Sequence, residues 1–175
     1  MAPEVTPGVA HEASTLLNQL KGLSEMIKET DIKINEVCRR FPEYPSILSM
    51  PGFGPDISSK VLGAIGNPYR FENQRQVLKL SGYDLSDDRS GKRGGFPVIS
   101  KQGKADLRYG LYQAALVASS SHHHFIKYFT EKLKGRERER GIKTKMRVKL
   151  AAKMLVIAWT LMKKKEMFDP GYLKD

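Results

Sequence analysis

The feature that most constrains the fold is a heptad repeat of mostly apolar side chains near the start of the chain. Nine residues recur alternately three and four positions apart: Ala13, Leu16, Leu20, Leu23, Ile27, Thr30, Ile34, Val37 and Phe41. This spacing places them on one face of a helix, in the a and d positions of about four heptads. We therefore predict a coiled-coil-like helix within residues 1–44, a dimerisation or linker segment whose copies associate through residues 13–41. The alternative is an amphipathic helix that packs on its own domain.

Proline and glycine divide the rest of the chain into further helical segments. Pro42 and Pro45 end the first helix, because proline disrupts the helical hydrogen bonds. Strand signals are scarce, with at most a short extended piece at residues 96–99. We predict an all-α fold with a helical domain over residues 45–175. Its helices are expected at residues 55–65, 73–81, 107–119, 124–133 and 146–164, with a helical turn at 45–50 and a charged connector at 134–145.

The chain is strongly basic, which indicates a polyanionic partner. Its 30 Lys and Arg residues against 19 Asp and Glu give a net charge of +11. Nucleic acid is the first interpretation and an anionic membrane surface the second. The longest apolar run is too short to span a bilayer, and no signal-peptide pattern opens the chain. We therefore expect nucleic acid as the partner, no membrane, and a cytoplasmic location. The single cysteine, Cys38, excludes an internal disulfide and is expected to pack as a small apolar side chain.

A glycine-rich loop at residues 82–103 carries the residue types that phosphate chemistry needs. Its glycines let backbone N–H groups approach an anion closely, and its cations can stabilise charge on phosphate oxygens. A serine hydroxyl, from Ser90 or Ser100, could attack a phosphate. No histidine or acid is clearly paired with either serine, so phosphoryl transfer is favoured over a hydrolase triad. The candidate phosphate contacts are Arg89, Lys92, Arg93, Ser100, Lys101, Lys104 and Arg108.

A second candidate contact lies in the Pro51-Gly52-Phe53-Gly54 turn, which resembles the helix-hairpin-helix of DNA-binding proteins. Two glycines make a tight turn, and the helix that follows begins with free N–H groups that can hold a phosphate. We expect Gly52 and Gly54 to shape this contact and Phe53 to anchor the turn in the core. The alternative is a tight interhelical turn with no ligand.

Two clusters have the residue types of metal ligands, but each has a simpler explanation. Asp84, Asp87 and Asp88 fit turn chemistry better than a Mg²⁺ site, because no second acidic cluster completes the coordination sphere. Residues 122–124 are three successive histidines, and successive helical side chains point in different directions. We predict no metal site in this chain.

Several motifs together resemble the C-terminal domain of the DEDD-type insertion-sequence transposases, many of which are called bridge-RNA-guided recombinases. The resemblance covers roughly residues 45–170. Its motifs occur in family order: Ser49–Pro55, Leu62–Gly66, Arg70-Phe71, Ser81-Gly82-Tyr83, Arg89–Lys92, Ile99–Gly103, Leu107-Arg108, Leu111-Tyr112 and Met162–Pro170.

The resemblance implies a nucleophile, a metal and partners. In the family, a serine of the Ser-Gly pair before the Ile-Ser-Lys block attacks a DNA phosphodiester and forms a phosphoserine link; that position here is Ser90. Family members carry an N-terminal resolvase-like domain with four acidic residues that bind Mg²⁺. That domain has no counterpart in this sequence, so we expect Mg²⁺ to come from it in the full-length protein. The resemblance also implies DNA as the partner and a nucleoid-associated location, and a bridge RNA is a further partner of many members. The rival interpretation is a non-enzymatic helix-hairpin-helix module that binds nucleic acid.

Overall fold

The computed structural model describes residues 6–86 and 98–174, and this part of the chain is almost entirely helical. Its only strands are two short ones, β1 (Leu85–Ser86) and β2 (Val98–Ile99), which pair antiparallel. The all-α prediction is confirmed. The seven helices are α1 (Pro7–Cys38), α2 (Tyr44–Leu48), α3 (Pro55–Ile65), α4 (Gln74–Ser81), α5 (Ala105–Ser121), α6 (His123–Leu133) and α7 (Ile142–Lys164), with 3-10 turns at Pro68–Arg70 and Pro170–Leu173.

The core is centred on the packing of α5 against α7. These two helices are in contact, and their buried residues include Ala114, Ala115 and Ala118 on α5 and Ala151 and Ala158 on α7. Small side chains let two helix backbones approach closely, and larger residues above and below fill the remaining space. The other helices of residues 44–164 pack around this pair and bury one apolar face each.

The C-terminal segment packs back onto the helices. Phe168 stacks on Phe125 of α6 with ring centroids 5.5 Å apart, and its N–H donates to the Ser49 hydroxyl at 2.8 Å. Trp159 of α7 donates its indole N–H to the Pro68 carbonyl at 2.8 Å. The first bond joins the C-terminal segment to the end of α2, and the second joins α7 to the 3-10 turn between α3 and α4.

The apolar side chains of α1 are exposed along most of the helix. Cys38 is the single buried residue of this helix, and burial raises the pKa of its thiol, which fits its expected role as an apolar side chain. The heptad face is exposed: Leu20 and Ile27 retain 61% and 62% of their accessible surface. The C-terminal end of α1 packs on α3, and Asn35 accepts a hydrogen bond from the Tyr44 hydroxyl at 2.7 Å. Association of copies through residues 13–41 stays a prediction.

Helix boundaries agree with the sequence to within about two residues except at the end of α1 and the start of α7. Helix α1 ends at Cys38, before Phe41, so the last predicted heptad position lies outside the helix. The prediction for α3 matches, but α7 begins at Ile142 and not at Met146, so the predicted connector 134–145 is too long. The added turn is amphipathic: Ile142 and Met146 are buried while Lys143 and Lys145 are exposed. This turn falls within the predicted connector because basic residues on the solvent-facing side of a helix have the same composition as a charged loop.

Candidate nucleic-acid interface

The turn between α2 and α3 is anchored in the core, as the sequence predicts for Phe53. That side chain is buried, and its N–H donates to the Met50 carbonyl at 2.9 Å. Gly52 also faces the interior, with φ +86° and its Cα against α5. A Cβ there would overlap the Ala114 carbonyl oxygen and lie 3.2 Å from the Ala118 Cβ. Gly52 is therefore required for close packing of the turn on α5.

Gly54 occupies the open side of the same turn. It is exposed, caps the N-terminus of α3, and has no atom within 4 Å of the position of an added Cβ. The first helical hydrogen bond runs from the Ser58 N–H to the Gly54 carbonyl at 2.9 Å. Asp56 also lies in this first turn and pairs with Lys60 at 2.8 Å. An anion would therefore meet free amide groups beside a carboxylate, and a phosphate contact at Gly54 stays a prediction.

The predicted nucleophile Ser90, and the predicted contacts Arg89, Lys92 and Arg93, lie outside the described residues. The structure does describe the two chain segments that flank them, residues 82–86 and 98–104, which we call the neck. Backbone pairing of β1 with β2 joins the two segments, and the Ser100 N–H continues it by donating to the Asp84 carbonyl at 2.8 Å.

Ser100 uses its hydroxyl to hold the neck together. Its Oγ donates to Asp84 Oδ1 at 2.6 Å and accepts from the Gln102 N–H at 3.3 Å. The expectation that neither serine has an acidic partner is therefore wrong for Ser100. The two residues are 16 positions apart, and only the pairing of β1 with β2 brings them together. The assignment of Asp84 to turn chemistry fits this position.

The segment after Ser100 packs tightly on the end of α4. The Lys104 N–H donates to the Leu80 carbonyl at 2.9 Å. Gly103 lies so close that an added Cβ would be 2.7 Å from that same oxygen. Lys101 has φ +56°, a left-handed conformation that is unfavourable for any residue except glycine. The exposed lysines 101 and 104 thus stand on a rigid turn, and one of them carries backbone strain.

Arg108 stabilises the neck through hydrogen bonds to backbone carbonyls. Its guanidinium donates to the carbonyls of Ser81 at 2.9 Å and Lys101 at 3.3 Å. The Tyr83 hydroxyl donates in turn to the Arg108 carbonyl at 2.8 Å, and burial raises the pKa of this tyrosine well above its ordinary value. Arg108 is half-buried, whereas Lys101 is exposed. The predicted contacts therefore differ in position. Lys101 and Lys104 face solvent, whereas the Arg108 guanidinium already donates hydrogen bonds to two backbone carbonyls.

Two general properties bear on the type of site. Within the described residues, no group of three or more His, Cys, Asp and Glu side chains is placed to hold a metal ion. In the same part of the chain, no helix has the length and hydrophobicity needed to cross a membrane.

Comparison with known proteins identifies relatives of this domain. The "Insertion element IS116 uncharacterized 44.8 kDa protein" of Streptomyces clavuligerus is 25% identical over 156 residues, 89% of this chain and 38% of that protein. The "Putative transposase y4rJ" of Sinorhizobium fredii (strain NBRC 101917 / NGR234) is 30% identical over 119 residues, 67% of this chain and 30% of that protein. The chain thus spans about a third of the length of these curated relatives.

The match to a family model covers the turn, α3, α4, the neck and α5. Residues 44–130 match the model of the transposase IS116/IS110/IS902 family. They begin at the first residue of α2 and end within α6, so they contain the structural features described above. Residues 44–130 therefore resemble transposases of the IS116/IS110/IS902 family in sequence.

Proposed function

We propose that this chain is the serine-bearing part of a DNA transposase or site-specific recombinase. The Ser90 hydroxyl attacks a DNA phosphodiester, so that an Oγ–P bond forms while the bond from phosphorus to the leaving strand breaks. The serine proton is released, and the leaving oxygen takes up a proton. The phosphoserine link preserves the phosphodiester for rejoining. The family match at residues 44–130, which includes Ser90, carries this proposal.

Two observations support Ser90 over Ser100 as the nucleophile. Ser90 belongs to the Ser-Gly pair of the family resemblance. The Ser100 hydroxyl is committed to the Asp84 carboxylate, at 2.6 Å, and to the Gln102 amide. A hydroxyl that donates in a structural hydrogen bond would have to break it before attacking phosphorus. The exposed Lys101 and Lys104 lie on the same neck and could neutralise phosphate charge.

The Mg²⁺ of the reaction is expected to bind to another part of the full-length protein. The described residues contain no three-residue cluster of metal-ligating side chains, so they do not fit such a site. The expected source is the four acidic residues of the N-terminal resolvase-like domain that the family resemblance implies, with a bridge RNA as a further partner.

Self-association through residues 13–41 is part of the same proposal. The heptad face is exposed, and joining two such faces would remove its apolar surface from water. Replacing Leu20 and Ile27 by lysine should weaken self-association in sedimentation equilibrium, while leaving the thermal midpoint of the helical domain nearly unchanged. Replacing Lys21 and Lys28 by glutamine is the matched control, since neither is a heptad-face residue. Unchanged association of the Leu20 and Ile27 variant would contradict this interface.

The nucleophile can be tested with full-length protein, labelled target DNA and Mg²⁺. Wild type should give a protein–DNA adduct that survives denaturing electrophoresis, and Ser90→Ala should give none. Ser100→Ala should still form an adduct, because the variant keeps the Ser90 hydroxyl. If Ser100→Ala alone loses the adduct, Ser100 is the nucleophile and our assignment is wrong.

A non-enzymatic nucleic-acid-binding module is the second candidate, favoured by the net charge of +11 and by the exposed Gly54 end of the turn. Both candidates predict binding that weakens steeply with salt. Only the enzyme predicts a covalent adduct. Wild-type protein that binds DNA tightly but forms no adduct with Mg²⁺ present would favour the module.

A further inference from the structure

A polar groove runs along α4 to β1, outside the set of residues that the sequence assigns to phosphate binding. It encloses about 690 Å³ and extends from Asn73 to Leu85. Arg75 and Lys79 line it from α4, and Asp84 of the neck closes its other wall. The groove therefore joins a basic helical face to the base of the segment that carries Ser90, which follows Leu85 by five residues.

The local sequence explains why the two cations point away from the core. Asn73 begins α4 by accepting the Gln76 N–H with its side chain at 3.2 Å. Val77 and Ser81 are buried, so the opposite face is exposed. Arg75 and Lys79 are four residues apart and thus share that face.

The side chains of Arg75 and Lys79 form no hydrogen bond or ion pair with the described part of the chain. Gln76, which lies between them, already bonds to Glu72. Its amide oxygen accepts from the Glu72 backbone N–H, and its amide nitrogen donates to the Glu72 carboxylate. Two like charges one helical turn apart repel each other and weaken the helix. Within the part of the chain that the structure describes, this pair therefore gains no ion-pair stabilisation, and an anion bound between the two side chains would relieve their repulsion.

We propose that this groove binds the sugar–phosphate backbone of duplex DNA, with Arg75 and Lys79 each contacting a phosphate. A guanidinium can hold two phosphate oxygens at once, and an ammonium supplies a compact charge beside it. The carboxylate of Asp84 accepts a hydrogen bond from the Ser100 hydroxyl at 2.6 Å, which holds it in the neck, and the two cations of the groove outnumber it. The inference rests on the proposed function, because it assigns to that function a surface that guides DNA to the neck.

The test is a fluorescence anisotropy titration of a short fluorescein-labelled DNA duplex with the 175-residue chain, at several salt concentrations. Each phosphate contact adds about 0.9 to the salt slope, so losing two lowers the slope by about 1.8 and weakens binding roughly 60-fold at about 0.1 M salt. We expect this result for Arg75→Gln/Lys79→Gln. Glutamine retains helix propensity, and circular dichroism together with the thermal midpoint will check that the variant keeps the wild-type helix content and stability.

Two control variants separate this site from general charge effects. Lys28→Gln/Lys33→Gln removes the same charge from exposed positions of α1, which packs on α3, and should change the slope much less. Arg75→Lys/Lys79→Arg keeps the charge and should retain most of the affinity. The inference is overturned if the Arg75 and Lys79 glutamine variant loses no more affinity than the α1 control. It is also overturned if only the binding of duplex RNA, or of an acidic peptide, is affected.

The adduct assay distinguishes failure of this inference from failure of the proposed function. Ser90→Ala should abolish the adduct yet bind the duplex with the wild-type salt slope. An adduct that persists in Ser90→Ala refutes the assignment of Ser90 as the nucleophile but does not contradict DNA binding in the groove. A wild-type salt slope in Arg75→Gln/Lys79→Gln, combined with loss of the adduct in Ser90→Ala, refutes the groove and leaves the nucleophile standing.

Discussion

Replacing Gly52 by alanine tests whether this glycine serves packing or DNA contact. The backbone at Gly52 has φ +86°, and a left-handed conformation costs an L-residue about 1–2 kcal/mol. The new Cβ would overlap the Ala114 carbonyl oxygen, and overpacking a tight core site costs about 1–3 kcal/mol. The two penalties together predict a loss of about 2–5 kcal/mol. For a chain of this size the thermal midpoint should fall by between about 4 and 20 °C.

Gly54→Ala is the matched control, two residues further along the same turn. An added Cβ meets no atom within 4 Å, and φ is −85°, so only the poorer capping ability of alanine counts, about 0.5–1 kcal/mol. Differential scanning calorimetry of both variants gives the comparison. The reasoning is refuted if Gly52→Ala melts within a degree of wild type, or if Gly54→Ala is equally destabilised.

Three further predictions concern the neck and a partly buried histidine. Ser100→Ala should lower the free energy of unfolding in urea by about 1–2 kcal/mol, and Asp84→Asn by less, because an amide oxygen still accepts the bond; equal stability of Ser100→Ala and wild type would contradict this. Lys101→Gly should raise the thermal midpoint by relieving a left-handed conformation, as should Lys165→Gly at φ +57°, but only Lys101→Gly should weaken DNA binding; equal loss of binding in both variants would show a general charge effect. Burial lowers the pKa of His122, so the unfolded chain takes up this proton first, and the free energy of unfolding should decrease as the pH falls below about 6.5. That decrease should be smaller in His122→Gln, and an unchanged pH dependence there would exclude this histidine as its cause.

The sequence predicts the helices well because proline, glycine and apolar spacing act locally. Pro55 at the first turn and the apolar positions that follow determine α3, whose two ends match the prediction. Ile142 shows where local reasoning fails, since its burial depends on the helices around α7. Lys143 and Lys145 look like loop residues until the position of the helix in the fold shows that they lie on its outer face.

The candidate site was less predictable, because its geometry comes from contacts between distant parts of the chain. Asp84 and Ser100 have no recognisable relation in the sequence, and Gly52 looks like a phosphate-binding glycine until α5 packs against it. Local patterns thus identify the residue types that phosphate binding needs, but only tertiary contacts separate those that face solvent from those that support the fold.

Hydrogen bonds of the Lys101 backbone explain how the fold tolerates the strained conformation of this exposed residue. The left-handed conformation of Lys101 costs about 1–2 kcal/mol, and a hydrogen bond typically contributes about 0.5–1.5 kcal/mol. Its own N–H donates to the Gly82 carbonyl at 3.0 Å, and its carbonyl accepts from Arg108 at 3.3 Å. These two bonds are enough to offset the strain. If the neck serves only to hold the chain together, glycine at position 101 should be better in every respect. If the neck presents an ammonium group to DNA, the same substitution must improve stability and reduce affinity together.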